Sequence, residues 1–483
     1  MKPSIQPQAV FDKFYDIDQI PRGSGNEKAI SDYLVAFSKD HGYEAKQDSE
    51  NNVIIKVPAT KGYESAPSVI LQGHMDMVCE KTPESTHDFT KDPIEFVVDG
   101  DWLKAKDTTL GADDGMAVAM MLAIMDDPSI PHGPMECLIT TNEETGMNGA
   151  IAVKGSDLSG KYLLNLDSED EGEFTIGCAG GCHVEIGIPL LRENRNHTYN
   201  KAFHISVEGL LGGHSGMEIV KQRANANQIL ARTLYEMHKS YSFQTASFSG
   251  GTKHNAIPRQ AETVIAVKEA DFDAIKNLLA HLSQVYQQEF TPQDAGLTLS
   301  VKEVEAPDLV YADDTVEALV AYLILAPNGV YSMSQTLPGN IVETSNNLAI
   351  VQEKQNFISI LISTRSSSKS SLDFLVTKLT GLAEVLGISS RVSDGYPAWE
   401  YQPGSDLEKQ VLAIYKKVTG KEPILNSVHA GLECGLLKKQ LPDTQMISFG
   451  PTVQHPHTPQ ERVSISSVDR MYTFLLTVLK ELK

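Results

Sequence analysis

Acidic residues and histidines follow several of the apolar segments in this chain. His74-Met75-Asp76 follows SVILQG, Asp113-Asp114 follows DTTLG, and Glu143-Glu144 follows MECLITTN. Asp167 ends KYLLNLD, and His455-Pro456-His457 follows TQMISFGPTV. Open α/β sheets bind ligands beyond the carboxyl ends of their strands, so we expect these side chains to meet at one edge of a sheet. Imidazoles and carboxylates together are ligands that suit zinc, cobalt or manganese.

The number of these groups predicts more than one metal ion. Four ligands saturate a single zinc, whereas this set is larger, so two ions bridged by one carboxylate account for it better. If His74 and Asp76 lie on one face of a strand, Asp76 can accept a hydrogen bond from the imidazole nitrogen that does not bind metal. The adjacent Glu143 and Glu144 point in different directions, which lets one bind metal while the other takes a proton from water.

The elements that must position these residues predict an α/β domain. Continuous apolar runs between residues 68 and 170 are typical of strands covered on both faces, and the apolar run 117–125 is typical of a buried helix. After the Gly-rich stretch 177–181, strand-like segments alternate with amphipathic helices, as in an α+β unit. Helices are predicted there from about Ser215 to Met237 and from about Asp271 to Glu289.

Near Pro397 the sequence pattern becomes typical of an α/β domain again. Ser466 is predicted to cap the last helix. We therefore predict one discontinuous α/β domain, residues 1–183 and 395–483, with a mixed, largely parallel sheet. A large α+β domain, residues 184–394, interrupts it. No internal repeat is apparent in the sequence.

Composition and charge restrict the partners. The chain has 483 residues, 41% of them hydrophobic, and a formal net charge of -22. The electrostatic field of a protein with this negative charge repels phosphate backbones and anionic membranes. Neither nucleic acid nor a membrane is therefore an expected partner. The N-terminal residues contain no apolar signal segment, and the five cysteines are few and scattered, which predicts a cytoplasmic protein.

Several motifs resemble those of a known enzyme family. GHMDMV, LGADDG, TNEETG, LLNLD and PHTPQE are similar to the motifs of the co-catalytic zinc metallopeptidases, which include aminoacylases, carboxypeptidase G, tripeptidase T and dipeptidases. The resemblance extends over the whole chain to the Xaa-His dipeptidases of this family, through segments such as GLLGGHSGMEI, HNAIPR and HAGLECGLL. It implies a dipeptide hydrolase with two zinc ions per subunit, for which cobalt or manganese can substitute.

The resemblance also implies roles for the metal-site residues. It makes Asp113 the bridging ligand, with a cis peptide bond after it. His74 and Asp167 then hold one zinc, and Glu144 and His457 hold the other. Glu143 becomes the general base, and Asp76 orients His74. His455 is the alternative to His457, although the sequence H-T-P-Q-E favours His457.

The interrupting domain is expected to act as a lid. Relatives supply a lid histidine that stabilises the oxyanion, in dimeric members from the partner subunit, and His214 is the candidate here. Arg365, at the end of FISILISTR, can bind the carboxylate of a dipeptide, and Asn255 can add a polar contact. The resemblance implies a homodimer formed through this domain.

Other functions are compatible with the same residues. Within the family, the alternatives are an aminoacylase, a carboxypeptidase or a tripeptidase. A catalytically silent metal-binding protein is a further alternative, against which the retention of Glu143 beside Glu144 speaks. A two-metal phosphoesterase is disfavoured because the sequence offers no basic cluster to bind phosphate.

Overall fold

The chain folds into two compact units. The computed structural model describes residues 4–337 and 340–483. The first unit contains the residues up to Gly177, Tyr401–Ser427 and Leu432–Lys483, and the second contains Cys178–Glu400 and Val428–Gly431. The predicted interrupting domain, 184–394, lies within the second unit.

The strands are numbered in chain order. The first group is β1 (Glu44–Gln47), β2 (Val53–Val57), β3 (Val69–His74), β4 (Phe96–Asp99), β5 (Trp102–Ala105), β6 (Met135–Thr140), β7 (Tyr162–Asn165) and β8 (Glu173–Cys178). The second group is β9 (Gly180–Pro189), β10 (Arg192–Asn194), β11 (Lys201–Glu208), β12 (Phe243–Gly250), β13 (Ala261–Val267), β14 (Thr298–Val304), β15 (Leu309–Tyr311), β16 (Gly329–Met333), β17 (Val342–Glu353), β18 (Phe357–Ser366) and β19 (Ser389–Val392). The last group is β20 (Ile424–Val428), β21 (Gln445–Ser448), β22 (Val453–Gln454) and β23 (Arg462–Ser464).

The helices are numbered in the same way. Those of the first part of the chain are α1 (Gln8–Asp18), α2 (Lys28–Asp40), α3 (Ala112–Asp126), α4 (Glu143–Gly146) and α5 (Asn148–Ala152). The second unit contains α6 (Ala226–His238), α7 (Phe272–Phe290), α8 (Asp313–Leu325) and α9 (Lys369–Val385). The last part contains α10 (Asp406–Thr419), α11 (Glu433–Gln440) and α12 (Ile465–Glu481).

The main sheet of the first unit is mixed, as predicted. Its order is β1-β2-β6-β3-β7-β21-β8-β20. The central strands β6, β3, β7 and β21 pair in parallel, whereas β1, β2 and β6 pair antiparallel. His74, the last residue of β3, is level with Thr140, the last residue of β6. The carboxyl ends of these strands therefore lie at one edge of the sheet.

Apolar sequence runs explain the helices of this unit. In α3, every residue from Gly115 to Met125 is buried, in agreement with the predicted core helix. In α12, a stripe that includes Val468, Leu475 and Leu479 is buried. The predicted cap of α12 is wrong by two residues. Ser464, not Ser466, caps the helix, because its hydroxyl accepts a hydrogen bond from the Ser467 N–H at 3.2 Å.

The second unit contains a nine-stranded sheet. Its order is β14-β11-β13-β12-β17-β18-β9-β19, and β16 pairs with β17. Phe203, Ile205 and Val207 of β11 enter a single apolar core to which α6, α7, α8 and α9 also contribute. The intervening His204 and Ser206 line a cavity of about 850 Å³. The sheet therefore has one face covered by helices and one face that borders this cavity.

One predicted helix of the second unit begins later than expected. The prediction placed its start at Ser215, but α6 begins at Ala226. Two features interrupt the helix before that point. Gln222 has a φ of 51°, in the left-handed region. The side chain of Asn225 accepts hydrogen bonds from the N–H groups of Asn227 and Gln228, which caps the helix there. His214 consequently lies in a loop well before α6 and not at its first turn.

Candidate metal centre

Asp113 lies between two histidines. Its Oδ1 is 3.1 Å from His74 Nε2, and its Oδ2 is 3.0 Å from His457 Nε2. Burial alone would raise the pKa of Asp113, but hydrogen bonds from His457 and His74 outweigh it and hold that pKa below its usual value. Each oxygen of one carboxylate therefore faces a different imidazole, which is the arrangement needed to bridge two cations.

Two further carboxylates complete the groups around these imidazoles. Asp167 Oδ1 lies 3.5 Å from His74 Nε2, and Glu144 Oε2 lies 2.9 Å from His457 Nε2. Ligand atoms of His74, Asp113 and Glu144 all lie within 4.8 Å of one another. Glu144 Oε1 is buried and has no hydrogen-bond partner among the described residues. The structure thus brings together all five predicted metal ligands.

Asp114 was expected at this edge of the sheet but was not predicted to be a metal ligand. One of its carboxylate oxygens lies with an imidazole nitrogen of His74 and a carboxylate oxygen of Asp167 in a second group of atoms, all within 4.8 Å of one another. Asp114 Oδ2 also accepts a hydrogen bond from the backbone N–H of His74 at 3.2 Å. The peptide bond between Asp113 and Asp114 is cis, as the resemblance implied.

His457, and not His455, reaches the cluster. The contacts of the His457 imidazole are with Asp113 and Glu144, and they raise its pKa to about 11 through hydrogen bonding. The backbone carbonyl of His455 instead accepts a hydrogen bond from the Thr458 hydroxyl at 2.8 Å, which closes the local turn.

Asp76 connects His74 with the beginning of α4. Its Oδ1 is 3.4 Å from His74 Nδ1, and its backbone carbonyl is 3.1 Å from the same nitrogen. The carboxylate also accepts hydrogen bonds from the backbone N–H groups of Glu143, at 3.2 Å, and Glu144, at 3.4 Å. Strand β3 already ends at His74, so Asp76 reaches the imidazole from the following loop and not from a strand face.

Glu143 is the first residue of α4, beside the predicted ligand Glu144. Burial raises the pKa of its carboxyl well above the usual value, and the neighbouring carboxylates of Asp167 and Glu433 raise it further. A carboxylate with a raised pKa is a stronger base, which is the property required of a group that takes a proton from water.

Glu461 was missed by the sequence analysis, although it ends the PHTPQE motif. It is 2% exposed. Its Oε2 accepts hydrogen bonds from the N–H groups of Leu110 and Gly111 at 2.8 and 3.0 Å. Its Oε1 accepts those of Ala112 and Asp113 at 2.7 and 3.3 Å. One buried carboxylate thus holds the segment that presents Asp113.

Arg22 holds the same segment from another side. Its guanidinium pairs with Asp18 at 2.6 Å and donates to the carbonyl of Gly111 at 2.7 Å. It also donates to the carbonyl of Met75 at 3.1 Å. The loops that carry Asp113 and Asp76 are therefore tied together through one buried cation.

Glu433 is a second missed carboxylate. Its Oε2 accepts hydrogen bonds from Gln72 Nε2 at 2.6 Å and Thr140 Oγ1 at 2.7 Å. Its Oε1 is buried without a hydrogen-bond partner among the described residues, and burial raises its pKa to about 7. Because Gln72 precedes His74 by two positions on β3, Glu433 supports the strand ends that carry the site. The segment HAGLECGLL was the available signal, but nothing in its spacing distinguished Glu433.

The predicted lid residues lie in the second unit. His214 and Asn255 are on adjoining segments, since the Asn255 carbonyl accepts the Ser215 N–H at 2.8 Å, and both residues line the 850 Å³ cavity. Arg365 is 8% exposed and donates from Nη1 to the Tyr396 hydroxyl at 2.6 Å. Its Nε is buried with no partner among the described residues.

His429 is a further residue of the second unit that the sequence analysis did not single out. Its Nε2 is 2.7 Å from the Ser345 hydroxyl, and its Nδ1 is buried without a partner among the described residues. Burial, followed by the charge of Arg365, lowers its pKa to about 4. The imidazole is therefore held neutral near Arg365.

The first unit has the fold and ligand arrangement of a dinuclear metallohydrolase. Comparison with known proteins agrees with this class. The peptidase dimerisation domain of the M20 family matches residues 205–293. The cytosol non-specific dipeptidase of Escherichia coli is 37% identical over 99% of this chain and 98% of that protein. The chain therefore belongs to the M20 metallopeptidase family and is a peptide-bond hydrolase.

Solved structures agree with this assignment. Aminoacylhistidine dipeptidase from Vibrio alginolyticus superposes with a TM-score of 0.93 at 35% identity, covering 99% of this chain and 97% of that one. An M20 family metallo-carboxypeptidase from Sulfolobus solfataricus shares the fold, with a TM-score of 0.52 at 13% identity over 98% of this chain and 99% of that one. Among the described residues, no helix has the length and apolar character needed to cross a membrane.

Proposed function

We propose that this protein is a dinuclear zinc dipeptidase that prefers Xaa-His substrates. The observation that carries the proposal is the position of Asp113, whose two oxygens each face one imidazole, of His74 and of His457. This arrangement supports His74, Asp113 and Asp167 as ligands of one ion and Asp113, Glu144 and His457 as ligands of the other.

The donor set fits two divalent cations. Among the described residues, the ion pairs of Asp113, Glu144 and Asp167 are formed only with histidine. Buried carboxylates without a Lys or Arg partner are costly unless another cation accompanies them. Imidazole and carboxylate ligands without a thiolate favour zinc, cobalt or manganese over copper(I). Two such ions, when bound, would polarise a carbonyl and lower the pKa of a bound water.

The protein's own residues perform the proton transfers. Glu143 takes a proton from the attacking water and returns it to the leaving amine, a role that its position next to Glu144 at the beginning of α4 supports. Asp76 holds the His74 imidazole in one orientation through Nδ1, which keeps Nε2 directed toward Asp113. Because Asp76 also accepts the N–H groups of Glu143 and Glu144, it fixes base and ligand relative to each other.

The second unit supplies the substrate contacts in this proposal. Arg365 binds the free carboxylate of the dipeptide, which the buried and unpartnered Nε supports. Asn255 adds a polar contact, and His214 donates to the developing oxyanion. Burial and the charge of Arg365 lower the pKa of His214, so at neutral pH it is a neutral hydrogen-bond donor.

Two relatives differ in how wide a range of dipeptides their names indicate. The Vibrio alginolyticus structure is that of an aminoacylhistidine dipeptidase, whereas the Escherichia coli relative is a non-specific dipeptidase. We propose a dipeptidase that accepts several dipeptides and cleaves those with C-terminal histidine best. We also propose a cytoplasmic location and a homodimer formed through the second unit, which the match to a dimerisation domain family supports.

Release of histidine from Gly-His and β-Ala-His by the zinc-loaded protein tests the proposal. Gly-Gly and a Gly-His amide serve as comparison substrates. Glu143→Ala should lose more than about 100-fold in kcat while retaining two metal ions per chain, since a general base contributes roughly 10²–10⁴ to the rate. A metal-replete protein that leaves all dipeptides intact would support the silent alternative.

A further inference from the structure

The second unit contains the same topology twice. The inner half consists of β11, α6, β12, β13, α7 and β14, and the outer half consists of β9, α8, β17, β18, α9 and β19. The strand order is β14-β11-β13-β12 in the inner half and β19-β9-β18-β17 in the outer half. Both are βαββαβ units in which the fourth, first, third and second strands are neighbours in that order. The inner half is inserted between β9 and α8 of the outer half.

Equivalent elements of the two halves contact each other. The second strands, β12 and β17, pair antiparallel where Gly250 is opposite Val351. The first helices, α6 and α8, also pack together, and Gln228 Nε2 donates to the Leu323 carbonyl at 3.3 Å. Contacts between equivalent elements are what a two-fold symmetric dimer interface has. Here the interface lies within one chain.

Buried hydrogen bonds join the halves. Asn225 Nδ2 and Asn227 Nδ2, at the beginning of α6, both donate to the carbonyl of Leu348 on β17, at 3.1 and 3.0 Å. Both asparagines are buried, and residues of both halves form one apolar core. The outer half therefore contacts the inner half at the end of β12 and at the beginning of α6.

The match to the dimerisation domain family lies within the inner half, at residues 205–293. We propose that the outer half occupies the place that the same domain of a second subunit would take on the inner half. One chain then carries a complete lid, and His214 of the inner half serves the metal site of its own chain. This last step rests on the proposed function. The proposed homodimer then uses a surface of the second unit other than β12 and α6, and the match at residues 205–293 supports the presence of the domain rather than this particular contact between subunits.

Site-specific photo-crosslinking tests the pairing without relying on activity. Gln352 of β17 and Gly250 of β12 line the same cavity. With Gln352→p-benzoyl-phenylalanine, irradiation should give a product of one-chain mass linked to a peptide from β12 or the loop after it. The same linkage in a product of two-chain mass would overturn the proposal. Ile350→p-benzoyl-phenylalanine repeats the test if the first variant does not fold. Phe357, at the beginning of β18, is the control position and should give no link to β12.

Subunit complementation tests the functional consequence. His214→Ala and Glu143→Ala chains with different tags are co-expressed and the mixed species is purified. If His214 acts within its own chain, the mixture is no more active than the separate variants. Recovery toward about half the wild-type activity would show that His214 acts across subunits and would overturn this step. Full activity of His214→Ala alone would refute the role proposed for His214, and the crosslink would still decide the pairing.

Discussion

Replacing Glu461 with alanine should release the segment that carries Asp113. The carboxylate accepts four backbone hydrogen bonds, from Leu110, Gly111, Ala112 and Asp113, at 2.7 to 3.3 Å. A hydrogen bond to a charged group contributes about 1.5–3 kcal/mol, and a buried donor without an acceptor costs about 1–3 kcal/mol. Because the loop can relax and water can enter, we expect a total loss of about 3–5 kcal/mol in the free energy of unfolding.

The same substitution should weaken metal binding. Asp113 faces both imidazoles, so a displaced Asp113 affects both ions at once. Loss of a group that orients metal ligands typically costs about 10–100-fold in metal affinity or activity. We therefore expect the Glu461→Ala protein to bind two metal ions less tightly by roughly that factor, with a similar fall in kcat.

Calorimetric metal titration and elemental analysis measure metal binding. Urea unfolding in the presence of a chelator measures the free energy of unfolding without the metal. Glu384→Ala, on the exposed side of α9, is the matched control and should behave as wild type. A purely structural role for Glu461 would lower the free energy of unfolding but leave the metal affinity of the folded protein unchanged. Wild-type affinity for both ions in a folded Glu461→Ala protein would refute the positioning role.

Three further results are expected. Asp76→Asn should lower metal affinity by roughly 10–100-fold in a metal titration, since the amide cannot replace the carboxylate toward His74 and both α4 N–H groups. Arg365→Lys should raise KM for dipeptides roughly tenfold or more with little change in kcat, and a dipeptide amide should show the same loss with wild-type protein. His429 has a pKa lowered from 6.5 to about 4, so the stability it contributes is present above pH 6.5 and is lost as the pH falls toward 4, by up to about 3 kcal/mol. His429→Gln should flatten the curve of unfolding free energy against pH between pH 6.5 and about 4. An unchanged slope in this range would show that His429 does not cause the pH dependence.

The strand ends made the candidate metal site predictable from the sequence. Apolar runs identified β3, β6 and β7, and each run is followed within a few residues by a charged side chain. Parallel pairing of these strands then places His74, Glu144 and Asp167 at one edge. The choice between His455 and His457 could not be made from spacing alone, because the two residues are only two positions apart in one turn, where both have a positive φ.

The residues that hold the predicted ligands in place were not predictable in the same way. Glu461 binds backbone N–H groups roughly 350 positions earlier in the chain, and backbone donors leave no pattern in side-chain types. The error at α6 has a local cause. The amphipathic pattern continued toward Ser215, but Asn225 offers its side chain to the first N–H groups of the helix and so fixes the start at Ala226.

The repeated topology of the second unit could not be predicted from the sequence for a related reason. Residues on the two halves need only be apolar on the face that meets the helices, and many different sequences satisfy that requirement. What the halves share is the order in which their strands pair, and pairing order is a property of contacts distant in the chain. No repeat is apparent in the sequences of the two halves, although β12 and β17, and α6 and α8, meet as equivalent elements.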